Sequence, residues 1–98
     1  MKIHKSHRKV YFDEKEIKLT YTEFEILYLL AKNPGCVFSK EQIYESIWDE
    51  PSIGDSSIVM SHIQKIRKKI GDNSSNPTYI QTVWGVRYRF NKEISSNL

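Results

Sequence analysis

The chain has 98 residues, 39% of them hydrophobic and 28% charged, which is the composition of one small globular domain rather than of a disordered chain. No apolar run approaches the ~20 residues of a membrane-spanning helix, and "MKIHKSHRK" lacks the apolar centre of a signal peptide. The net charge of +3 conceals an asymmetry: residues 1–50 carry 8 basic and 9 acidic side chains, and residues 51–98 carry 7 and 3. A positive second half points toward a polyanion, against the plainer reading of a solvated basic face.

Cys36 is the only cysteine. It excludes an internal disulfide and suits a reducing, cytoplasmic compartment.

In chain order, "KVYFDEKEIKLT" predicts two short strands joined by a turn at "DEK", with "KIHKSHR" as another edge strand before them. "TYTEFEILYLLAKNPG" predicts a helix. Thr20 and Glu23 form a capping box, Phe24, Leu27 and Leu30 recur at helical spacing, and Asn33-Pro34-Gly35 ends the run. "SKEQIYESIW" repeats the pattern, with Ser39 and Gln42 as the box and Ile43 and Ile47 on one face. It is followed by the polar connection "DEPSIGDS".

The third helix is expected over 56–70, capped by Ser56 or Ser57 and closed by Gly71. Val59, Ile63, Ile66 and Ile70 fall on one narrow arc, the face for the core. The opposite side collects Ser57, Ser61, Gln64, Lys65 and Lys68, with Ile58 and Lys69 at its edge. Met60 and Arg67 lie on one flank and His62 on the other. Lys68 and Lys69 also oppose the helix dipole in the last turn, which is reason enough for their charge. It does not account for Ser61, Gln64 and Lys65 aligning with no carboxylate among them. After "GDNSSNP", the segment "TYIQTVWGVRYRFN" predicts a hairpin over about 78–90, turning at Trp84-Gly85, with Arg87 and Arg89 on the return arm.

Nothing in the sequence supports catalysis. His4, His7 and His62 show no metal spacing with Cys36, and neither CxxC nor HExxH occurs. His4 and His7, three apart in an expected strand, should not share a face. We therefore expect no enzyme, metal or cofactor.

Strands, three helices with a basic third, then a hairpin, is the layout of a winged helix. "LTYTEFEILYLLAKNPGCVFSKEQIYESIW", "VMSHIQKIRKKI" and "IQTVWGVRYRF", in that order and spacing, resemble the DNA-binding effector domain of OmpR/PhoB-type response regulators over essentially the whole chain. The resemblance implies an α+β fold: a four-stranded N-terminal sheet, three helices and a C-terminal β-hairpin wing. It also implies that the third helix enters the major groove, while the wing reaches the minor groove or backbone. By position it carries DNA contacts to Ser57, Ile58, Ser61, His62, Gln64, Lys65 and Arg67, and to Thr82 and the wing tip 84–87. Further implied are binding to direct repeats as head-to-tail dimers, RNA polymerase contact through loop 49–56, and control by a receiver domain and a sensor kinase.

Residues 1–98 are read as a single winged-helix domain, without that receiver. Ser57 and Gln64 stand where the family often has Arg. Arg87 stands where it usually has Gly, which costs about 1 kcal/mol if the turn demands a positive φ there; otherwise the turn is rebuilt and Arg87 adds a cation at the tip.

On residue chemistry, Ser, Gln and Lys suit base edges, Lys toward guanine and Gln toward adenine. Arg67, Lys68, Lys69, Arg87 and Arg89 suit phosphates. The competing reading is a winged helix used against a protein or an anionic membrane surface. RNA binding is a third, with Trp84 as the one candidate for stacking.

Overall fold

The computed structural model describes residues 1–52, 56–73, 75–84 and 87–94. Three N-terminal strands come first: β1 (Lys2–His4), β2 (Lys9–Phe12) and β3 (Lys15–Ile17). They form an antiparallel meander in the order β1-β2-β3, with Ile3 opposite Val10 and Val10 opposite Ile17. Phe12 pairs with Lys15, leaving Asp13 and Glu14 as a two-residue loop, both at positive φ (50° and 66°). Two left-handed residues match the twist of a tight hairpin. The sheet has three strands among the described residues, not the four that the family resemblance implies.

His4 and His7 also depart from expectation. β1 ends at His4, and a turn closed by Arg8 N–H donating to the Lys5 carbonyl at 3.2 Å folds His7 back. The two rings stack with centroids 6.2 Å apart.

Helix α1 (Tyr21–Ala31) begins at the foreseen capping box: Thr20 Oγ1 accepts from Glu23 N–H at 3.2 Å, and Glu23 Oε1 accepts from Thr20 N–H at 2.9 Å. Arg8 docks the N-terminal sheet on this helix. It donates to Glu25 at 2.6 Å and to the Tyr21 carbonyl at 3.1 Å, and its guanidinium lies over the Tyr21 and Phe24 rings. Past the helix, Gly35 takes a positive φ of 82° and donates to the Phe90 carbonyl at 2.8 Å.

A two-residue strand, β4 (Phe38–Ser39), leads into α2 (Lys40–Trp48), which starts at the Ser39–Gln42 capping box. Helix α3 (Ser57–Ile70) follows, then β5 (Ile80–Val83) and β6 (Arg87–Phe90). The last three strands form a second sheet in the order β4-β6-β5. Ile26, Leu27, Leu30, Ile43, Val59, Ile63, Ile66, Ile80 and Phe90 are fully buried, so all three helices and the C-terminal sheet share one core. The architecture is the α+β winged helix-turn-helix.

Candidate nucleic-acid interface

Helix α3 has the expected two sides. Val59, Ile63 and Ile66 are sealed from solvent and Ile70 nearly so. Ser57, Ile58, Ser61, Gln64, Lys65 and Lys68 are exposed. Among the described residues neither Lys65 nor Lys68 has an ion-pair partner. The helix ends in a Schellman motif: Asp72 N–H donates to the Arg67 carbonyl at 2.7 Å, Gly71 N–H to that of Lys68 at 3.3 Å, and Gly71 takes φ 75°. That satisfies the last carbonyls and turns the chain toward the wing. At the other end Ser56 is the N-cap, but its hydroxyl bonds to Glu41 on α2 at 3.3 Å instead of capping the helix.

His62 is half-buried, set edge-on against Trp48 with centroids 5.6 Å apart. Its Nδ1 lies 2.8 Å from the Ile58 carbonyl. A carbonyl only accepts, so Nδ1 carries the proton and Nε2 is the ring's remaining polar atom. Trp48 in turn stacks on Tyr44, whose hydroxyl donates to Glu50. Of the loop 49–56, Ser52 N–H bonds to Glu45 at 3.1 Å, while residues 53–55 lie outside the described residues.

Two of the expected phosphate contacts are engaged elsewhere. Arg67 is 2% exposed. Its Nε and Nη2 donate to the Ile80 carbonyl at 3.0 and 2.6 Å, and Nη2 also donates to Thr82 Oγ1 at 2.8 Å. The flank it occupies is covered by the wing, which the helix periodicity could not reveal. Burial pulls the Arg67 guanidinium below its ordinary pKa, only partly offset by Tyr88 and Asp72; an arginine keeps its charge regardless. Burial likewise raises the Tyr88 phenol, against the opposing pull of Arg67. Lys69 is the second case, bonding Glu23 on α1 at 2.6 Å.

Strand alternation sorts the wing into two faces. Thr82 opposes Tyr88 and Ile80 opposes Phe90, on the face packed toward α3. Val83 opposes Arg87 and Gln81 opposes Arg89, on the other face. Arg89 is exposed and donates to Gln81 at 2.8 Å, so it sits on the side away from α3. Arg87 is an exposed strand residue paired with Val83 and Ser39. Its place in β6 makes it a paired strand residue and not a turn residue, so the strained-turn alternative drops out. The turn residues Gly85 and Val86 lie outside the described residues. Trp84 is 94% exposed, so its ring does not pack back on the sheet.

Asp72 was missed in the sequence. It is nearly buried and gathers the amides of Thr78, Tyr79 and Ile80 at 2.6 to 3.2 Å. Its position directly after the Gly71 cap was the only available signal.

A concavity of about 470 Å³ on the N-terminal sheet, lined by Met1, Lys2, His4, Tyr11, Asp13 and Glu14, is on a different element from this face. Among the described residues no group of three or more His, Cys, Asp or Glu could hold a metal ion, and no helix is long and apolar enough to cross a membrane.

Residues 14–90 match the family model described as transcriptional regulatory protein, C terminal. The uncharacterized transcriptional regulatory protein YcbL of Bacillus subtilis is 47% identical over 73 residues, covering 74% of this chain and 32% of YcbL. The response regulator DrrB of Thermotoga maritima, an OmpR/PhoB homologue, superimposes with a TM-score of 0.82 at 39% identity, covering 91% of this chain and 40% of DrrB. The DNA-binding domain of RstA from Klebsiella pneumoniae, solved in complex with RstA box, superimposes with a TM-score of 0.86 at 26% identity, covering 92% and 89%. The chain thus spans about a third of YcbL's length and two-fifths of DrrB's. A family model spanning 14–90, joined to this winged fold, places the chain in the family of transcriptional regulatory protein C-terminal domains, as a DNA-binding, non-enzymatic effector domain of the OmpR/PhoB type.

Proposed function

We propose that the chain binds double-stranded DNA sequence-specifically, with α3 in the major groove and the wing tip at the adjacent minor groove or backbone. One observation carries this reading: the exposed face of α3 presents Ser61, Gln64, Lys65 and Lys68 with no carboxylate among them, and its lysines are unpaired among the described residues. A helix of this width fits the major groove, and Gln and Lys match adenine and guanine edges. Lys68 and Arg87 serve phosphates. Thr82 and Trp84 approach from the wing, and His62 reaches the DNA from the flank of α3.

The wider setting is part of the same proposal. Residues 1–98 act as one winged-helix unit, in the cytoplasm, as the output of a response regulator with a receiver domain and a sensor kinase. Two copies sit head-to-tail on direct repeats, and the loop after α2 faces RNA polymerase.

Selection of bound duplexes from a random pool tests it. The expected outcome is a strong motif repeated at about one helical turn, ~10 base pairs. Absence of any enriched motif would defeat sequence-specific binding. The exposed Trp84 favours single-stranded RNA as a second reading, because an exposed ring can stack on a base. Tighter binding to a single-stranded RNA than to the selected duplex would establish that reading instead.

A further inference from the structure

The Arg67 fork does more than fill a gap between α3 and the wing. A guanidinium has donors and no acceptor. At 2.8 Å from Arg67 Nη2, the Thr82 oxygen is therefore the acceptor of that bond. Its own O–H hydrogen is left to point elsewhere, and among the described residues it donates to nothing. Thr82 itself is exposed. The backbone beneath is fixed from both sides: Arg67 holds the Ile80 carbonyl, and Asp72 accepts from the Ile80 amide at 2.9 Å. Both clamps spring from the C-terminal end of α3, so the wing strand is tied to that helix at one residue.

We propose that Arg67 is a positioning residue that presents the Thr82 hydroxyl to DNA as a fixed proton donor. A hydroxyl that already accepts from a cation is a stronger donor than a free one. It selects an acceptor oxygen or nitrogen, either a phosphate oxygen or an acceptor on a base edge. Arg67 is thereby withdrawn from direct contact and acts through Thr82. This inference rests on the DNA-binding reading above.

A double-mutant cycle on the full chain tests it, using the selected duplex and a scrambled duplex of the same composition. Melting temperatures are taken on every variant. Thr82→Val, of similar shape without the donor, should weaken binding about tenfold, and Thr82→Ser should bind like the wild type. Arg67→Lys keeps the charge but loses the fork. It should weaken binding several-fold in the Thr82 protein and less than about twofold in the Thr82→Val background. Equal losses on both duplexes assign the hydroxyl to phosphate, and a loss confined to the selected duplex assigns it to a base edge; both support the proposal.

An equal effect of Arg67→Lys in both backgrounds would reduce Arg67 to a structural residue and overturn the proposal, as would unchanged affinity in Thr82→Val. Should Arg67→Lys fail to fold, the Thr82 pair decides: Val and Ser variants binding alike overturn it. Failure of the wild type to bind either duplex would remove the DNA-binding reading itself, a result none of these differences imitates.

Discussion

Glu23 shows what a single residue contributes at two levels. Its carboxylate completes the α1 capping box and also receives Lys69 from α3. It is only 2% exposed. Burial opposes its ionisation, but the Lys69 ammonium and the Thr20 amide outweigh that, so its pKa lies below the ordinary 4.5. The resulting stabilisation is complete above the ordinary value and is lost as pH falls through the lower folded-state value. Glu23→Gln retains a capping-box side chain but removes the charge. It should cost about 1–2 kcal/mol at pH 7 and flatten the acid limb of the stability curve below pH ~4.5. Denaturant melts from pH 7 down to 3 read both effects, and parallel wild-type and variant curves would exclude Glu23 as the titrating group. At the interface, Lys65→Ala should cost about 1–3 kcal/mol on the selected duplex and little on random DNA, as expected of a base contact. Equal losses on the two would make Lys65 a phosphate contact.

Helix α3 was the most legible element because both of its signals are local. A stripe at 59, 63, 66 and 70 and a glycine just past the end need no knowledge of the rest of the chain. Ile63→Ala should therefore cost about 2–5 kcal/mol of stability, measured by denaturant titration; an unchanged midpoint would contradict the buried face. Less legible were features made by partners distant in sequence. The Lys69–Glu23 pair spans 46 residues and the Arg67–Ile80 bond 13. Neither leaves a periodic trace, so one enclosed cation and one paired cation read as two free ones. β4 escaped notice because two residues cannot show alternation. The wing was legible as a hairpin but not in the direction of its side chains, which depends on register: Val83 opposite Arg87 puts that arginine on the face away from Thr82. Arg87→Gly should lower DNA affinity, more so at low salt, while costing about 0.5–1 kcal/mol of strand stability. Unchanged affinity in low salt would remove Arg87 from the interface.

Across the whole molecule, charge placement matters more than net charge. Seven cations lie between Ser57 and Lys92, and counting them all would suggest a large electrostatic footprint. The fold reduces it. Arg67 is enclosed, Lys69 is paired with Glu23, and Arg89 is tied to Gln81 on the wing face turned from α3. Lys92 is exposed but follows the end of β6 that is remote from the hairpin turn. Lys65 and Lys68 remain on the helix and Arg87 near the wing tip, all exposed. Each phosphate neutralised releases condensed counterions, so log K falls with log[salt] at about 0.9 per contact. On a scrambled duplex, where Lys65 has no fixed guanine to read and is free for a phosphate, Lys65, Lys68 and Arg87 neutralise about three phosphates per protomer, so the slope should be roughly −3. Fluorescence anisotropy on a scrambled duplex from 50 to 300 mM salt measures it. A slope steeper than about −5 would mean that Arg67 or Lys69 leaves its internal partner on binding. That outcome would predict that Lys69→Gln makes the slope shallower by about one, while a slope near zero would end the electrostatic argument altogether.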